Sequence, residues 1–446
     1  MRIVQLTPGA GAMYCGNCLR DNALVTAYRR LGHDALMVPL YLPLTLDEAD
    51  ASAGTPIFFG GLNVYLDQQT ALFRNAPAWL RRQLARPGLL RWMGKYAGKT
   101  RPSDVADLTI SMLQGESGNQ ARDLDELIAW LKQQGGLDAV CISNALLLGV
   151  VRQLRAELNV PVVCLLAGED DFLDAMPEPQ RTTVWKVLAE RARDVDRFVA
   201  PSRYFAERMR QRLQLPADAI AVAPTGIQLD GYPTPGSPRS DTDAAPPTVG
   251  YLGRMCREKG LDTLVEAFIE VHRRGRVREL RLKLGGSCGP SDEAFVKTQR
   301  DRLGAAGIAS QVAFHPNLDR AAKVDFLRSL TVFSVPARCS EALGLYLLEA
   351  LAAGVPIVQP THAAFPEVVE STGGGVLCAP NDSASLAEAL EGLLLDAPTR
   401  RRLADTGHRV VHERHAVSRT AEVMLGLFAE VNHAWRAGRN ANRLPA

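Results

Sequence analysis

The chain has 446 residues, of which 46% are hydrophobic and 22% are charged, and its formal net charge is +2. A globular chain of this length is expected to form two or three domains with cores of ordinary size. The small net charge predicts no nucleic acid partner, and no apolar stretch reaches the roughly 20 residues that a membrane-spanning helix needs. Eight cysteines and no recognisable signal peptide are typical of reduced thiols in the cytoplasm.

Short apolar segments alternate with amphipathic segments through most of the chain. Strands of about five residues that alternate with helices predict βαβ units and parallel sheets, and therefore an α/β protein. The first half has predicted strands at 2–6, 34–38, 139–142, 160–166, 197–200 and 219–223. The second half has predicted strands at 248–252, 280–284, 312–314, 331–335, 355–359 and 375–378.

A segment rich in Pro, Gly, Ser and Asp, residues 229–248, separates the two halves. These residue types cannot sustain a helix or a central strand, so we predict domains at 1–230 and 248–415. An amphipathic helix at about 416–446 is expected to pack back on the first domain. Two doubly wound, Rossmann-like domains that face each other across a cleft would bind ligands at the carboxyl ends of their strands.

Two acidic residues in this separating segment, Asp241 and Asp243, have the Asp-x-Asp spacing of a metal site. They lie in a proline-rich stretch and not at the end of a strand. We therefore interpret them as linker residues, and we predict no metal site.

The segment 340–358 places two carboxylates around the start of a predicted helix. Glu341 lies just before a start near Gly344, and Glu349 lies about two turns inside the helix. A helix start offers unpaired N–H groups and the positive end of the helix dipole, so it favours an anion such as a diphosphate. Gly354 is expected to end this helix before the next strand.

Two cations follow the first strand of the second half. That strand ends in Gly253, and Arg254 and Lys259 come five residues apart in the loop that follows. Both could close on one phosphate group, with the glycines allowing a close approach of the backbone. The alternative is an ordinary corner between a strand and a helix, with two solvated cations.

The order and spacing of these segments, together with Pro366-Glu367 and the run at 375–382, resemble the GT-B glycosyltransferases of family four, the glycogen-synthase-like retaining group also called glycosyltransferase group 1. The resemblance covers residues 248–415. It implies a GT-B fold and a nucleotide-sugar donor, a UDP- or GDP-sugar, held mainly by the second domain. It also implies transfer of the sugar to a hydroxyl of a glycan, lipid or small-molecule acceptor, with no cofactor.

The resemblance also assigns roles to individual residues. Arg254 and Lys259 would bind the donor diphosphate, Glu349 the ribose hydroxyls, and Glu341 would lie beside the transferred sugar; of these, Glu341, Arg254 and Lys259 are the predicted catalytic residues. The predicted donor-binding set is Gly253, Arg254, Lys259, Gly285, Phe314, His315, Glu341, Ala342, Leu343, Gly344, Leu345 and Glu349.

The chain departs from the family pattern at four places, one of which is a gap between Pro336 and Glu341 that is one residue longer than the pattern implies. Ala342 and Leu343 stand where the family often has Gly-Phe, and His315 stands where glycine is common. No histidine occurs between His33 and His272, so the histidine that the family commonly carries in the first domain is missing. These departures leave the base and the sugar unassigned.

The acceptor side is predicted in the first domain. The family has a glycine-rich loop after the first strand, near the diphosphate and the acceptor; the alternative for this loop is a flexible turn. Two polar residues after the third strand could replace the missing histidine, and two acids follow the fourth strand, where a helix N-cap is the alternative. The predicted residues are Gly9, Gly11, Gly16, Ser143, Asn144, Glu169 and Asp170.

Cys15 and Cys18 form a Cys-x-x-Cys pair at a predicted helix start. A helix N-terminus lowers the pKa of a thiol, which favours redox chemistry, and the spacing also fits half of a zinc site. The next cysteine is Cys141, so no second pair at metal spacing exists. A structural role is the alternative that we favour.

Residues 74–101 hold eight Lys or Arg residues and no acid, interleaved with aromatic and aliphatic residues. This composition favours peripheral contact with an anionic membrane, where each cation contributes roughly 1 kcal/mol, or attraction of a polyanionic acceptor. A solvated helical excursion is the alternative. We expect a cytoplasmic protein that can lie at the inner face of the membrane.

Two other functions are compatible with the same pattern. A nucleotide-sugar epimerase can use the same two-domain fold, because a fold does not determine a reaction. The missing histidine also allows a non-catalytic sugar-nucleotide-binding or scaffold protein.

Overall fold

A computed structural model describes residues 1–9, 15–46, 48–59, 102–236 and 245–441 of the chain. They form two compact units, one of Met1–Pro224 with Ser418–Ala446 and one of Thr225–Val417. Gly11, the linker residues Asp241 and Asp243, and the basic segment 74–101 lie outside the described residues.

The first unit contains a parallel sheet with the strand order β2-β1-β3-β4-β5-β6. Its strands are β1 (Arg2–Thr7), β2 (Asp34–Pro39), β3 (Ala139–Ile142), β4 (Val162–Leu165), β5 (Arg197–Ala200) and β6 (Ile220–Val222). Its described helices are α1 (Gly16–Arg30), α2 (Ala106–Gln114), α3 (Ala121–Gln134), α4 (Val151–Leu158), α5 (Asp170–Asp174), α6 (Gln180–Ala192) and α7 (Arg203–Arg212), with 3-10 turns at Pro102–Asp104, Gly115–Ser117 and Ala145–Val150. The strands β3 and β4 are buried throughout, as strands of a helix-covered parallel sheet are.

The last helix of the chain, α15 (Val417–Ala441), belongs to the first unit from Ser418 onward. Its buried Phe428 packs edge to face on Tyr28 of α1, with 6.0 Å between ring centroids. Near its end, the Arg155 guanidinium lies 4.7 Å from the ring centroid of Trp435. These contacts bury the apolar face of α15 against the sheet's own helices.

The second unit contains a parallel sheet with the order β12-β11-β10-β7-β8-β9. Its strands are β7 (Thr248–Leu252), β8 (Arg281–Gly286), β9 (Val312–Pro316), β10 (Val332–Phe333), β11 (Ile357–Pro360) and β12 (Gly375–Cys378). Its helices are α8 (Leu261–Arg274), α9 (Glu293–Ala305), α10 (Arg320–Arg328), α11 (Leu345–Ala352), α12 (Phe365–Thr372), α13 (Ser383–Leu395) and α14 (Ala397–Arg414), with a 3-10 turn at Ala309–Gln311. Numbered within the unit, this is the 3-2-1-4-5-6 order of a Rossmann fold.

The twelve predicted strands all overlap observed ones, and the predicted α/β class is confirmed. Two details differ. β10 is only two residues long, because the chain leaves the ladder early to form a long loop before α11. α11 begins at Leu345, so Glu349 lies just over one turn inside the helix and the prediction of two turns was wrong.

Each sheet has a topological switch point, where the chain reverses the direction in which it adds strands. In the first unit this point lies between β1 and β3, and in the second it lies between β7 and β10. Open α/β sheets bind ligands at such a point, outside the carboxyl ends of the strands. The loops after β7 and β10 hold Arg254, Lys259 and Glu341.

Candidate active site

A close backbone contact joins the loops after β7 and β10. Gly260 ends the first loop with φ +70°, and a Cβ placed there would lie 1.9 Å from the carbonyl oxygen of Pro336. A side chain at this position would therefore overlap the second loop. The N–H of Arg338 donates to the carbonyl of Glu258 over 2.8 Å, which fixes the same two segments against each other.

This contact brings Lys259 to Glu341. The ammonium group forms an ion pair with the Glu341 carboxylate, and the Tyr346 hydroxyl donates to the same carboxylate oxygen over 2.7 Å. The Lys259 and Glu341 side chains are 24% and 17% exposed, so the pair is only partly hydrated. Two of the three residues predicted to be catalytic are thus in direct contact.

The charges of this cluster depend on one another. Burial acts to lower the pKa of Lys259, but the Glu341 carboxylate outweighs burial and the pKa is raised, so the ammonium stays charged. Burial, and then the Glu341 charge, raise the pKa of Tyr346 well above its usual value. A fixed cation therefore lies at the switch point of the second unit, with a neutral phenol beside it.

Arg254 points to a different carboxylate. Its Nε and terminal nitrogen donate to the two oxygens of Asp292, each over 2.9 Å, in a bidentate pair. The hydrogen bond to Asp292 raises the pKa of the guanidinium. The Asp292 side chain is 8% exposed and that of Arg254 is 54% exposed, so the arginine can still reach a ligand from solvent.

The start of α11 follows directly after Glu341. Ala342 and Leu343 are buried, Gly344 has φ +87° at the N-cap position, and Leu345 opens the helix. Gly344, as a glycine, has no side chain that could cap this helix start. The N–H groups of a helix's first turn have no partner inside the helix, so this turn is a place for an anionic or hydroxyl-rich ligand to accept hydrogen bonds.

Glu349, which the resemblance assigns to the ribose, forms an ion pair with Lys323 of α10 over 2.7 Å. The two side chains are 14% and 18% exposed. The carboxylate is thus held in place by a lysine from a neighbouring helix. A ribose that binds there would share Glu349 with Lys323.

The ends of β8 and β9 carry the remaining predicted donor residues. Gly285 accepts a hydrogen bond from the N–H of Gly253 over 3.2 Å, which places these two glycines on adjacent strand ends. Phe314 lies under the guanidinium of Arg300, 3.9 Å from the ring centroid. The Nε2 of His315 is buried and lacks a partner in the described residues, and burial lowers the pKa of this histidine.

In the first unit, the predicted loop after β1 is described at its two ends only. Gly9 has φ +75°, and Gly16 is the first residue of α1. From α1, Arg20 donates to the carbonyl of Ser143 over 2.6 Å and to its hydroxyl over 3.2 Å. Arg20 also pairs with Asp21 over 2.8 Å. The Ser143 hydroxyl is therefore already engaged within the chain.

The other polar residues predicted in this unit are also bound by the protein. Asn144 accepts a hydrogen bond from the N–H of Leu146 and so caps the 3-10 turn after β3. The buried Glu169 accepts hydrogen bonds from the N–H groups of Ala145 (2.9 Å) and Ala167 (2.7 Å), and burial raises its pKa. Its side chain does not cap α5.

Asp170 is fully buried and pairs with Arg208 of α7. Burial raises the pKa of this carboxyl group, although the Arg208 partner opposes the shift. The pair joins the start of α5 to α7 in the same unit. We interpret Asp170 as a residue that holds the fold of the first unit.

The Cys15–Cys18 pair lies at the start of α1, with Cys15 as the N-cap residue. A hydrogen bond from the Cys18 thiol, supported by the N–H groups of Cys18 and Asn17, lowers the pKa of Cys15 to about 6 against the opposing effect of burial. Cys18 is buried, and its contact with Cys15 raises its own pKa. The two thiols are free.

Several residues of the site were missed by reasoning from the sequence. The most important are Asp292, Lys323, Tyr346 and Arg300 in the second unit and Arg20 in the first. Asp292 follows Gly289 and Pro290 and precedes a helix, so its position could have been recognised as a helix start. The others carry no local signal, because their role comes from partners that lie far away in the sequence.

The described residues contain neither a cluster of metal ligands nor a helix suited to span a membrane. No group of three or more His, Cys, Asp or Glu side chains in these ranges is arranged to hold a metal ion. In the same ranges, no helix combines the length and the apolar character needed to cross a bilayer.

Comparison with known proteins identifies the family. The model of the group 1 glycosyl transferases matches residues 237–410, and the model of glycosyltransferase family 4 matches residues 110–230. The D-inositol 3-phosphate glycosyltransferase of Xylanimonas cellulosilytica is 29% identical over 343 residues, which cover 74% of this chain and 77% of that protein. The phosphatidyl-myo-inositol mannosyltransferase of Mycobacterium leprae is 32% identical over 195 residues, 44% of this chain and 46% of that protein.

Solved structures show the same fold. The sucrose-phosphate synthase of Thermosynechococcus elongatus superimposes with a TM-score of 0.71 at 20% identity, over 97% of this chain and 100% of that one. The Anabaena protein HepE, solved in complex with UDP-glucose, superimposes with a TM-score of 0.65 at 17% identity, over 96% of this chain and 100% of that one. At these identities the likeness concerns the fold.

The two family models fall on the two units, and the strand order of each sheet agrees with the Rossmann-like halves of a GT-B protein. The chain belongs to the group 1, family 4 glycosyltransferases, has the GT-B fold, and is an enzyme of the glycosyltransferase class.

Proposed function

We propose that this glycosyltransferase moves a sugar from a nucleoside diphosphate sugar to an acceptor hydroxyl, with retention of the anomeric configuration and without a metal ion. The observation that carries the proposal is the cluster at the switch point of the second unit. Lys259 and Arg254 follow β7, Glu341 follows β10, and the uncapped start of α11 comes next. This is the charge distribution that a departing diphosphate needs.

The difficult step is departure of the diphosphate from the anomeric carbon, because negative charge grows on the leaving oxygen. The ammonium of Lys259, the guanidinium of Arg254 and the N–H groups at the start of α11 would stabilise that charge. They supply the positive charge that other transferases obtain from a divalent cation. This is the support for a metal-independent mechanism.

Donor binding would change the ion-pair partners of Arg254 and Lys259. Arg254 is held by Asp292 and Lys259 by Glu341. A diphosphate would draw both cations away from these carboxylates, and Glu341 would then be free to accept hydrogen bonds from hydroxyls of the transferred sugar. Glu341 positions the sugar and does not attack it.

Retention would follow from attack on the same face from which the diphosphate leaves, with the leaving phosphate taking the proton of the acceptor hydroxyl. The alternative, a carboxylate nucleophile as in retaining glycosidases, needs an acid beside the anomeric carbon. Glu341 would keep the hydrogen bond from the Tyr346 hydroxyl after Lys259 has moved to the diphosphate, which suits a positioning role.

The relatives suggest where to begin with donor and acceptor. Several are named for D-inositol 3-phosphate or for phosphatidyl-myo-inositol, and one structural neighbour was solved with UDP-glucose. We therefore propose a UDP- or GDP-sugar as the donor and a polyol hydroxyl, such as that of an inositol in free, phosphorylated or lipid-linked form, as the acceptor.

The test combines binding with transfer. A thermal-shift screen of UDP, GDP, ADP and TDP with their sugars should raise the melting temperature for one nucleotide series, because a ligand that binds only the folded state stabilises it. The matching sugar nucleotide should then label a polyol acceptor with retention in the presence of EDTA. Isomerised sugar in the absence of acceptor would indicate an epimerase instead. Tight nucleotide binding without transfer to any acceptor would contradict the proposal.

A further inference from the structure

A second cavity lies within the second unit, away from the strand ends that carry Arg254 and Lys259. Its volume is about 480 Å³, within the range of sites for small molecules. It is formed where β7, β8 and β9 begin, and the 3-10 turn at Ala309–Gln311 and the end of α10 complete it. Arg281 opens β8 whereas Gly286 ends it, so this cavity lies about 15 Å from the candidate active site along the strand.

All charged side chains among the described lining residues of this cavity are positive. Arg281, Lys283 and Arg328 line it, and no Asp or Glu is among the described residues of its wall. Arg281 donates to the Ser310 carbonyl over 3.3 Å, and Lys283 donates to the Ser329 hydroxyl over 2.7 Å. These partners are neutral, so no described residue compensates the positive charges.

Other arginines of the same unit behave differently. Arg338 pairs with Asp262 over 2.9 Å, and Arg276 pairs with Glu391 over 3.1 Å. No such ion pair reaches Arg281, Lys283 or Arg328 within the described part of the chain. Three cations that share one cavity repel one another, and an anion between them removes that repulsion.

From these observations we infer that the cavity binds a small phosphate-bearing molecule. The site is separate from the proposed donor site, so the ligand is an effector and not a substrate. The phosphate would lie among Arg281, Lys283 and Arg328.

The cavity has a physical connection to the donor side of the same sheet. Lys283 and His315 lie on the same face of the paired strands β8 and β9, since Lys283 aligns with Ala313 and Gly285 with His315. Burial and then the charge of Lys283 lower the pKa of His315, and α10 contributes the uncharged Phe326 ring at 5.5 Å. A bound phosphate would offset the charge of Lys283, so binding at the cavity would raise the pKa of His315.

The experiment uses the full chain and glycerol 3-phosphate as the probe, with glycerol and inorganic phosphate as comparisons, in calorimetric titrations at low ionic strength. We expect glycerol 3-phosphate to bind and glycerol not to bind. Arg281→Gln together with Arg328→Gln should weaken binding at least tenfold. Arg278→Gln is the matched control, because Arg278 is an exposed arginine just before β8 that does not line the cavity.

Two further outcomes separate this cavity from the proposed donor and acceptor sites. Binding of the probe should survive Arg254→Ala and saturation with the preferred nucleoside diphosphate. The histidine NMR titration of His315 should move to higher pH when the probe is bound. Undiminished binding in the double variant, loss of binding in the presence of nucleotide, or no binding at all would overturn the inference.

Discussion

The two units contain the same kind of parallel sheet, but the charged and polar side chains at their strand ends have different kinds of partner. At the strand ends of the second unit, three ion pairs join Arg254 to Asp292, Lys259 to Glu341 and Lys323 to Glu349. Each joins side chains from separate segments, and each is partly exposed. At the strand ends of the first unit, polar groups are held by backbone N–H groups or by buried partners.

Glu169 and Asn144 illustrate the first unit, since both accept hydrogen bonds from main-chain N–H groups. A carboxylate bound by its own backbone cannot exchange partners without loss of local structure. A partly exposed ion pair between side chains can exchange, because its net contribution to stability is small. The second unit is therefore suited to receive a charged ligand, and the first unit to present a fixed surface.

The largest expected effect comes from removing one of the two cations, Arg254 or Lys259, at the strand ends of the second unit. Arg254→Ala or Lys259→Ala should lower turnover at least a hundredfold, since loss of one such contact removes on the order of 2.7–4 kcal/mol of transition-state stabilisation. Steady-state rates with the preferred donor provide the measurement. Arg257→Ala is the matched control, because Arg257 lies between the two in the same loop and is 76% exposed. Near-normal rates in both variants would remove these cations from the mechanism.

The next effect concerns how the backbone places Lys259. Gly260→Ala and Gly275→Ala both put a side chain at φ near +70°, and each should lose about 1–2 kcal/mol of folding stability. Only Gly260 faces a carbonyl oxygen, that of Pro336, whereas the space around Gly275 is open. Urea unfolding should therefore show the larger loss for Gly260→Ala, and turnover should fall in that variant alone. Equal losses in both variants would mean that the loop contact does not hold the site together.

In the first unit, the pKa of Cys15 is lowered, whereas burial raises the pKa of Glu169. The thiolate is the form that reacts, so alkylation should rise with pH around a midpoint of about 6, compared with about 8.5 for an ordinary cysteine. Iodoacetamide labelling followed by mass spectrometry gives the profile, with Cys15→Ser as the blank. Cys18→Ala removes the side-chain donor and should move the midpoint upward. A midpoint near 8.5 in the unmodified protein would show that the helix start does not activate Cys15.

The smallest expected effect compares one acid from each unit. Asp292→Asn frees Arg254 from a competing carboxylate, and an exposed ion pair contributes about 0.2–1 kcal/mol, so nucleoside diphosphate affinity should rise by up to about fivefold. Asp170→Asn removes the charge of a buried pair with Arg208, so folding stability should fall and nucleotide affinity should stay unchanged. Calorimetry and urea unfolding measure both variants. Weaker nucleotide binding in Asp292→Asn would show that Asp292 supports the donor site instead of competing with it.

Local sequence determined the elements and the family. Strands such as Ala139–Ile142 and Thr248–Leu252 could be predicted to the residue, because apolar segments flanked by turn residues have few alternatives. The spacing of Arg254, Lys259, Glu341 and Glu349 carried the resemblance to the family four glycosyltransferases, which the comparisons confirmed. The predicted start of α11 near Gly344 also agrees with the structure, in which Gly344 is the N-cap residue, and only the depth of Glu349 within the helix was wrong.

Only the tertiary structure determines which charged side chains form ion pairs. Asp292 lies 38 residues from Arg254, and Glu341 lies 82 residues from Lys259, so no local pattern could pair them. The positively charged cavity of Arg281, Lys283 and Arg328 arises because strands β8 and β9, α10 and the turn at Ala309–Gln311 begin or end at one edge of the sheet. Residue types and their order determine which elements form, because that choice rests on local backbone preferences and hydrophobic pattern. Which charges are compensated and which are left for a ligand is set by packing, because it depends on distances between segments that only the folded chain brings together.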